Sequence, residues 1–109
     1  MKISFKVWLE EEDHRVRFGA GRSQLLQAIA DHGSLAQAAK KMNMSYRAAW
    51  GRLKASEDRL GYSLAEKDTT LGKRGGLRLT TEGKALLEKF NAIHQTLAQR
   101  VAELEKKYF

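Results

Sequence analysis

A segment near the middle of the chain brings together side chains that can hydrogen-bond to bases and neutralise phosphates. Arginine can donate two parallel hydrogen bonds to guanine, and lysine presents a cation suited to a phosphate oxygen. Tyrosine and tryptophan add flat apolar faces with one polar edge. The candidate contact residues, including the small residues Ser45 and Gly51, are Ser45, Tyr46, Arg47, Trp50, Gly51, Arg52 and Lys54. Lys40 lies shortly before them. Their types indicate contact with a nucleic acid.

These side chains need a rigid element to present them, and residues 34–60 have the pattern of two short helices joined by a tight turn. Ser34 is in position to cap the first helix, and Ser45 to cap the second. Asn43 falls between them, and asparagine tolerates the left-handed backbone that a tight turn often needs. The inner face of the second helix would carry Ala49, Leu53 and Leu60. The pattern predicts a helix-turn-helix whose second helix contacts bases through its N-terminal residues.

The position of each side chain on this second helix predicts its role. Arg47 is best placed for a bidentate contact to guanine, and Tyr46 can reach a base or a phosphate. Trp50 can pack against the wing or flank the groove, and we expect packing, since tryptophan is highly buried on average. Phosphate contacts are expected from Lys40, Arg52, Lys54, Lys73 and Arg74. On this stretch alone, the alternative is the alanine-rich helical hairpin of a plain bundle.

Composition and charge favour a single DNA-binding domain. The 109 residues are 42% hydrophobic, which is enough for one modest core. Of the net charge of +7, residues 34–84 contribute 11 − 5 = +6, with eleven Lys or Arg against five Asp or Glu. The excess therefore lies where phosphate would bind. No apolar run approaches a membrane span and no signal-peptide core is present, so we expect a cytoplasmic protein with no membrane partner.

The segments around the helix-turn-helix complete a winged-helix pattern. Residues 1–18 alternate apolar and polar side chains on both sides of an acidic run, which predicts a β-hairpin with a solvated tip rather than a calcium loop. Residues 22–61 hold three helices, the first capped by Ser23. Residues 62–79 predict two strands around a Gly-rich loop, which together form a wing with a basic tip. The loop does not have the sequence pattern of a nucleotide-binding P-loop. The predicted fold class is mainly α with small β-hairpins (α+β), a winged helix-turn-helix in a single domain.

Residues 80–108 predict one long helix that extends beyond the wing. Thr80 or Thr81 caps it, and Glu82 suits its first turn. Its apolar residues follow at steps of three and four over about 28 residues, or roughly 40 Å of helix. This near-heptad seam consists of Leu86, Phe90, Ile93, Leu97, Val101, Leu104 and Tyr108. A dimerisation helix is favoured over a helix folded back on its own core, because only the first turns can easily reach that core.

No group of residues favours catalysis or metal binding. The chain has no cysteine, which excludes disulfides and cysteine-based zinc sites. Its three histidines, His14, His32 and His94, are far apart in sequence and have no paired carboxylates at useful spacing. We therefore expect neither an enzyme nor a cofactor. The alternative function is a winged-helix module that binds proteins, or that binds DNA without sequence preference.

The sequence resembles the N-terminal DNA-binding domain of the ModE family of molybdate-responsive transcriptional regulators, and more distantly the winged helix-turn-helix of LysR-type regulators. The resemblance runs from about residue 2 to residue 105. It is carried by Gly33-Ser34-Leu35, Ala38-Ala39-Lys40, the run from Ser45 to Trp50, the Gly-rich wing and Leu79-Thr80-Thr81-Glu82-Gly83.

The resemblance implies a bacterial homodimer that regulates transcription by binding palindromic operator DNA. It also implies that Ser45, Tyr46 and Arg47 face the groove. The wing differs from that of ModE in being poorer in glycine. ModE senses molybdate in a C-terminal module, and this chain ends with the dimer helix, so we expect no molybdate-binding module here.

Overall fold

The computed structural model describes residues 1–15, 17–70 and 76–109, without the side chain of Arg17. The helices and strands are β1 (Trp8–Glu10), β2 (Arg17–Gly19), α1 (Ala20–His32), α2 (Leu35–Lys41), α3 (Tyr46–Leu60), β3 (Ala65–Lys67), β4 (Leu77–Leu79) and α4 (Thr81–Tyr108). β1 pairs antiparallel with β2, and β3 pairs antiparallel with β4, as two separate hairpins. This order confirms the predicted fold class, a mainly helical winged helix-turn-helix with small β-hairpins.

Most helix ends follow from single residues with special backbone preferences. Gly33 (φ +70°) and Gly61 (φ +80°) end α1 and α3 in the left-handed conformation, which glycine adopts without a steric penalty. Asn43 (φ +57°) turns the chain between α2 and α3, as predicted. Of the two threonines predicted to cap α4, Thr80 is the cap, because its hydroxyl accepts the Gly83 N–H.

α1 begins earlier than predicted. Ala20 is its first residue, and Gly19 is an N-cap without a side-chain hydrogen bond. Ser23, the predicted cap, is instead a buried residue inside the first turn, where its hydroxyl donates to the Ala20 carbonyl. The prediction was wrong because a serine hydroxyl can also bond a carbonyl of the preceding turn, so a serine near a helix start does not identify the first residue.

The first seven residues do not form the strand that their alternation predicts. Strand pairing starts only at Trp8–Glu10. Upstream, the Ile3 N–H donates to the Glu105 carboxylate of α4, and the Phe5 ring stacks on His94 with centroids 5.4 Å apart. The N-terminal segment therefore lies along α4, whose surface offers partners that alternation in the sequence cannot reveal.

The core forms where β2, the wing strands and the four helices meet. Phe18 and Phe90 pack edge to face at its centre, with ring centroids 5.5 Å apart. The buried apolar side chains are Phe18, Leu25, Leu26, Ala28, Ile29, Leu35, Ala38, Ala39, Ala49, Leu53, Leu64, Ala65, Leu79, Leu87 and Phe90. Phe90 was predicted on the dimer seam, and that prediction was wrong: the side chain is 2% exposed and has almost no surface left for a partner.

α4 passes so close to the chain before β3 that only glycine fits at Gly83. A Cβ atom at this position would lie 2.1 Å from the carbonyl oxygen of Leu64. The Leu64 backbone is held on both sides, because its N–H donates to Glu57 and its carbonyl accepts the Thr80 N–H. The wing and α4 are thus fixed against each other by a direct backbone contact.

Gly83→Ala should lower the free energy of unfolding by about 1–3 kcal/mol, the usual cost of overpacking. Urea denaturation with an unchanged m-value measures this loss. Gly51→Ala is the matched control, since a Cβ atom at that position of α3 meets nothing within 4 Å. Helix propensity predicts that the control gains up to about 1 kcal/mol. A Gly83→Ala protein as stable as the wild type would contradict the close approach.

Candidate nucleic-acid interface

α3 is built to present its first two turns to a partner. The Ser45 hydroxyl accepts the Ala48 N–H at 3.1 Å and caps the helix, as predicted. Ala49 and Leu53 are buried and fix the inner face, also as predicted. The side chains between them therefore point away from the core, on a helix whose rotation is set by packing.

The exposed side chains of α3 form two adjacent rows. Tyr46, Trp50 and Lys54, spaced by four residues, form a wing-side row that borders a cleft between α3 and the wing strands. Arg47 and Gly51 form the neighbouring row and are exposed. We call the space between the wing-side row and strands β3 and β4 the α3–wing cleft. The helix thus divides its outer residues between a free face and a cleft.

Several of the residues predicted to contact DNA are exposed cations whose charge is not neutralised by an ion pair within the described part of the protein. Lys40, Arg47 and Arg52 are exposed. Within residues 1–15, 17–70 and 76–109, no carboxylate forms an ion pair with any of the three. Such cations can neutralise phosphates without first breaking an internal pair.

Lys54 has a different environment from the other cations. Its Nζ lies 3.1 Å from Oε1 of Glu57 and 4.5 Å from the centre of the Trp50 ring. Glu57 is buried, and its Oε2 accepts the N–H of Leu64 at 2.7 Å and of Ala65 at 3.3 Å. Sequence reasoning missed Glu57. The spacing of three residues between Lys54 and Glu57 could have indicated their ion pair. The hydrogen bonds between Glu57 and the start of β3 could not be inferred from the sequence.

Trp50 lies beside the wing strands and is not a core residue. Its side chain is 45% exposed. Ala49 and Leu53 already fill the inner face at the neighbouring positions, so the tryptophan is directed to the cleft instead. The burial suggested by residue type alone is therefore absent, while packing against the wing and flanking the groove both stay predictions.

A group of arginines on the α1 side of α3 was missed by sequence reasoning. Arg22 lies near Arg52 and Arg59, and burial together with these two charges lowers its pKa. Its Nε donates to the Ser56 hydroxyl at 2.8 Å, which holds the guanidinium against α3. Three guanidinium groups therefore strengthen the positive potential on this side of the helix. Arg22 belongs to another helix, so no local pattern links it to the site.

The wing is a short antiparallel hairpin. Ala65 pairs with Leu79, and Lys67 pairs with Leu77. β3 starts at Ala65 and not at Tyr62 as predicted, because the preceding Leu64 N–H is bonded to Glu57 and is not available to a neighbouring strand. The predicted tip cations Lys73 and Arg74 lie outside the described residues.

The outer part of α4, after Phe90, carries most of the remaining residues of the predicted seam. Ile93 is 40% exposed and Leu97 is 42% exposed. Val101 and Leu104 are half-buried and Tyr108 is 65% exposed, whereas Leu86, near the start of the helix, packs against the core. Although α4 is 28 residues long, neither it nor any other described helix is apolar enough to cross a membrane. The seam therefore divides into Leu86 and Phe90 at the core and a partly exposed outer section from Ile93 onward.

The histidines are not assembled into a site. His14 contacts Glu10 at 2.6 Å, and His94 lies between the rings of Phe5 and Phe90. Among the residues that the structure describes, no three His, Asp or Glu side chains form a group that could hold a metal ion.

Comparison with known proteins identifies the family. The sequence profile described as "Bacterial regulatory helix-turn-helix protein, lysR family" matches residues 22–84, from α1 to the start of α4. This match covers more than half of the chain. The chain belongs to the LysR family of bacterial regulatory helix-turn-helix proteins. This LysR-family chain is also similar in structure to the CbnR_DBD–DNA complex, with a TM-score of 0.60 and 30% identity over 78% of this chain and 91% of that one.

Curated relatives of this LysR-family chain confirm the resemblance to molybdenum-related regulators. It is 33% identical over 89 residues to the molybdenum-pterin-binding protein MopA of Rhodobacter capsulatus, covering 82% of this chain and 34% of MopA. It is 36% identical over 75 residues to the transcriptional regulator ModE of Haemophilus influenzae, covering 69% of this chain and 29% of ModE. The chain thus spans about a third of the length of these relatives.

Proposed function

We propose that this LysR-family chain forms a homodimer in the cytoplasm and regulates transcription by binding an inverted-repeat operator in double-stranded DNA. The observation that supports this most directly is the exposed start of α3, where Arg47 projects from a capped and well-packed helix without a described carboxylate partner. A helix of this kind enters the major groove with its N-terminal turns against the bases.

The side chains of the interface divide into two groups by chemistry. Arg47 reads a guanine through two parallel hydrogen bonds, while Tyr46 contacts a base or a phosphate. Ser45 and Gly51 are small and allow the helix to approach the DNA closely. Phosphate contacts come from Lys40, Arg52, Lys73 and Arg74, the last two at the tip of the wing.

A second copy covers the outer section of α4. Ile93 and Leu97 expose apolar surface at a spacing of one helical turn, and Val101 and Leu104 continue the same seam. Apolar positions at this spacing are typical of helices that pair with each other. A two-fold dimer places its two recognition helices one helical turn of DNA apart, or a multiple of this distance, which is why the operator is an inverted repeat.

Selection of bound sequences from a random duplex library, at two salt concentrations, tests the proposed function. We expect an inverted repeat to be enriched. Binding without enrichment would favour an architectural protein that does not read sequence. Absence of binding at low salt would overturn DNA binding by this chain and favour a protein-interaction module.

Arg47→Ala should relax the sequence preference at one position of each half-site and cost about 1–3 kcal/mol of binding free energy there. The loss arises because the bidentate contact distinguishes guanine from other bases. Competition between the selected operator and scrambled DNA measures the change in specificity.

Arg52→Ala is the matched control for this substitution, since it removes an exposed arginine of the same helix. A phosphate contact weakens binding to all sequences alike and reduces the slope of log K against log salt by about one unit. Equal losses on specific and scrambled DNA in Arg47→Ala would rule out a base contact.

A further inference from the structure

The α3–wing cleft has aromatic and apolar walls next to the proposed DNA-binding face. Its volume is about 400 Å³. The wing-side row of α3 forms one wall, with Trp50 45% exposed and Tyr46 56% exposed. Residues of the wing form the opposite wall, which includes Lys67 and Leu77, and residues 34–36 at the start of α2 complete the lining. Large aromatic surfaces left open to water at such a place favour a ligand with flat or apolar faces.

The charges around the cleft are largely compensated within the protein. Lys54 pairs with Glu57, and Glu66 on the wing wall pairs with Arg78 at 3.2 Å. Lys67 has no carboxylate partner among the described residues. Of the described charged residues that line the cleft, Lys54 and Glu66 are therefore paired and Lys67 is not, so the cleft combines aromatic contact with one uncompensated cation.

Glu57 connects the two walls of the cleft. One carboxylate oxygen accepts the N–H groups of Leu64 and Ala65 at the start of β3, and the other pairs with Lys54. The Lys54 ammonium in turn lies over the Trp50 ring. A cation held in this way favours one orientation of the indole, because it is attracted to the face of the ring and not to its edge.

We propose that the α3–wing cleft receives one sugar-phosphate strand of the bound DNA, with the Trp50 ring against a deoxyribose and Glu57 as a positioning residue that acts through Lys54. This inference rests on the proposed function. A helix in the major groove has a DNA backbone on each side, and the wing-side row faces one of them. Lys54 then serves to orient Trp50, in contrast to the phosphate contact expected from the sequence.

This arrangement gives affinity that does not depend on salt. Contacts with phosphate release counterions and steepen the salt dependence, whereas aromatic contact does not. Trp50→Ala should therefore weaken binding about tenfold at every salt concentration, with an unchanged slope of log K against log salt. The double substitution Lys54→Met with Glu57→Gln should also leave the slope unchanged, because the two charges that it removes already compensate each other.

Glu57→Gln gives a readout that a merely structural role would not change. The glutamine amide oxygen can still accept backbone N–H groups, but it no longer neutralises Lys54. The released charge should steepen the salt slope by up to about one unit. In a Trp8→Phe background, fluorescence reports Trp50 alone, and we expect Glu57→Gln to make the indole more accessible to iodide in the absence of DNA.

The experiment is a salt titration of operator binding by the wild type and three variants, Trp50→Ala, Glu57→Gln and the double variant Lys54→Met with Glu57→Gln. Iodide quenching of Trp50 fluorescence in the absence of DNA accompanies it. Trp8→Ala is the matched control, because Trp8 is a 51% exposed tryptophan outside the cleft, and it should bind like the wild type. The inference is overturned, with the proposed function intact, if Trp50→Ala binds as tightly as the wild type or if the double variant Lys54→Met with Glu57→Gln lowers the slope by about one unit. If the wild type itself binds no DNA, the proposed function fails first.

Discussion

Leu97→Asp should convert the protein from a dimer into a monomer and lower its affinity for the selected inverted repeat by about 10²–10⁴-fold, the usual size of the avidity lost when two linked sites bind separately. Leu97 lies near the middle of α4 and is 42% exposed. In the proposed dimer, the aspartate carboxylate at this position would be buried against apolar side chains with no hydrogen-bond or charge partner, which is strongly unfavourable. Sedimentation equilibrium measures the dissociation.

The matched control for this substitution is Gln99→Asp, which introduces the same charge at an exposed polar position of the same helix. It should remain a dimer. Binding to a single half-site should be unchanged in Leu97→Asp, because α3 and its packing are untouched. If Leu97→Asp stays dimeric at micromolar concentration, the dimer uses another surface, and the proposed role of α4 is wrong.

Phe90→Ala should lower the free energy of unfolding by about 3–5 kcal/mol, the cost of removing a large aromatic side chain from a packed core. Phe90 is 2% exposed, contacts Phe18 edge to face and lies beside His94. Its removal leaves a cavity where β2, α1 and α4 meet. Urea denaturation at several protein concentrations measures the loss, which should be nearly independent of concentration.

Leu97→Ala provides the comparison, since it truncates a residue of the same predicted seam that is exposed in the protomer. Its effect on stability should be smaller and should depend on protein concentration, because it acts through the dimer. If Phe90→Ala instead kept its stability and dissociated the dimer, Phe90 would be an interface residue after all.

These two residues show what the sequence could and could not predict about α4. The repeat of three and four identifies a helix with one apolar face, and α4 indeed spans Thr81–Tyr108. The repeat cannot say where the protein's own core ends along that face. That boundary depends on Phe18, which meets Phe90 from a distant part of the chain.

Local chemistry predicted the helix-turn-helix well. Ser34, Asn43, Ser45 and Gly61 each act on backbone groups within a few residues, so their effect can be read from the neighbouring sequence. The fold class and the exposed face of α3 followed from these positions. The family comparison then agreed with the same part of the chain.

The misses share a different cause, since each depends on a contact between segments far apart in sequence. Residues 1–7 lie along α4 because Ile3 and Phe5 find partners there. Arg22 joins the basic side of α3 from another helix. Trp50 borders the cleft because the wing folds back beside it. No periodicity within one segment contains this information.

The contact between Ile3 and Glu105 has a practical consequence for anyone attaching another polypeptide to this one. Glu105 lies about 36 Å along α4 from Thr81, at a helical rise of about 1.5 Å per residue. The two chain ends therefore leave the molecule side by side, at the end of α4 opposite to the wing. A fluorescent protein, a surface tether or a second domain fused at either end would emerge at the same place, so reversing the order of a fusion should change its position little.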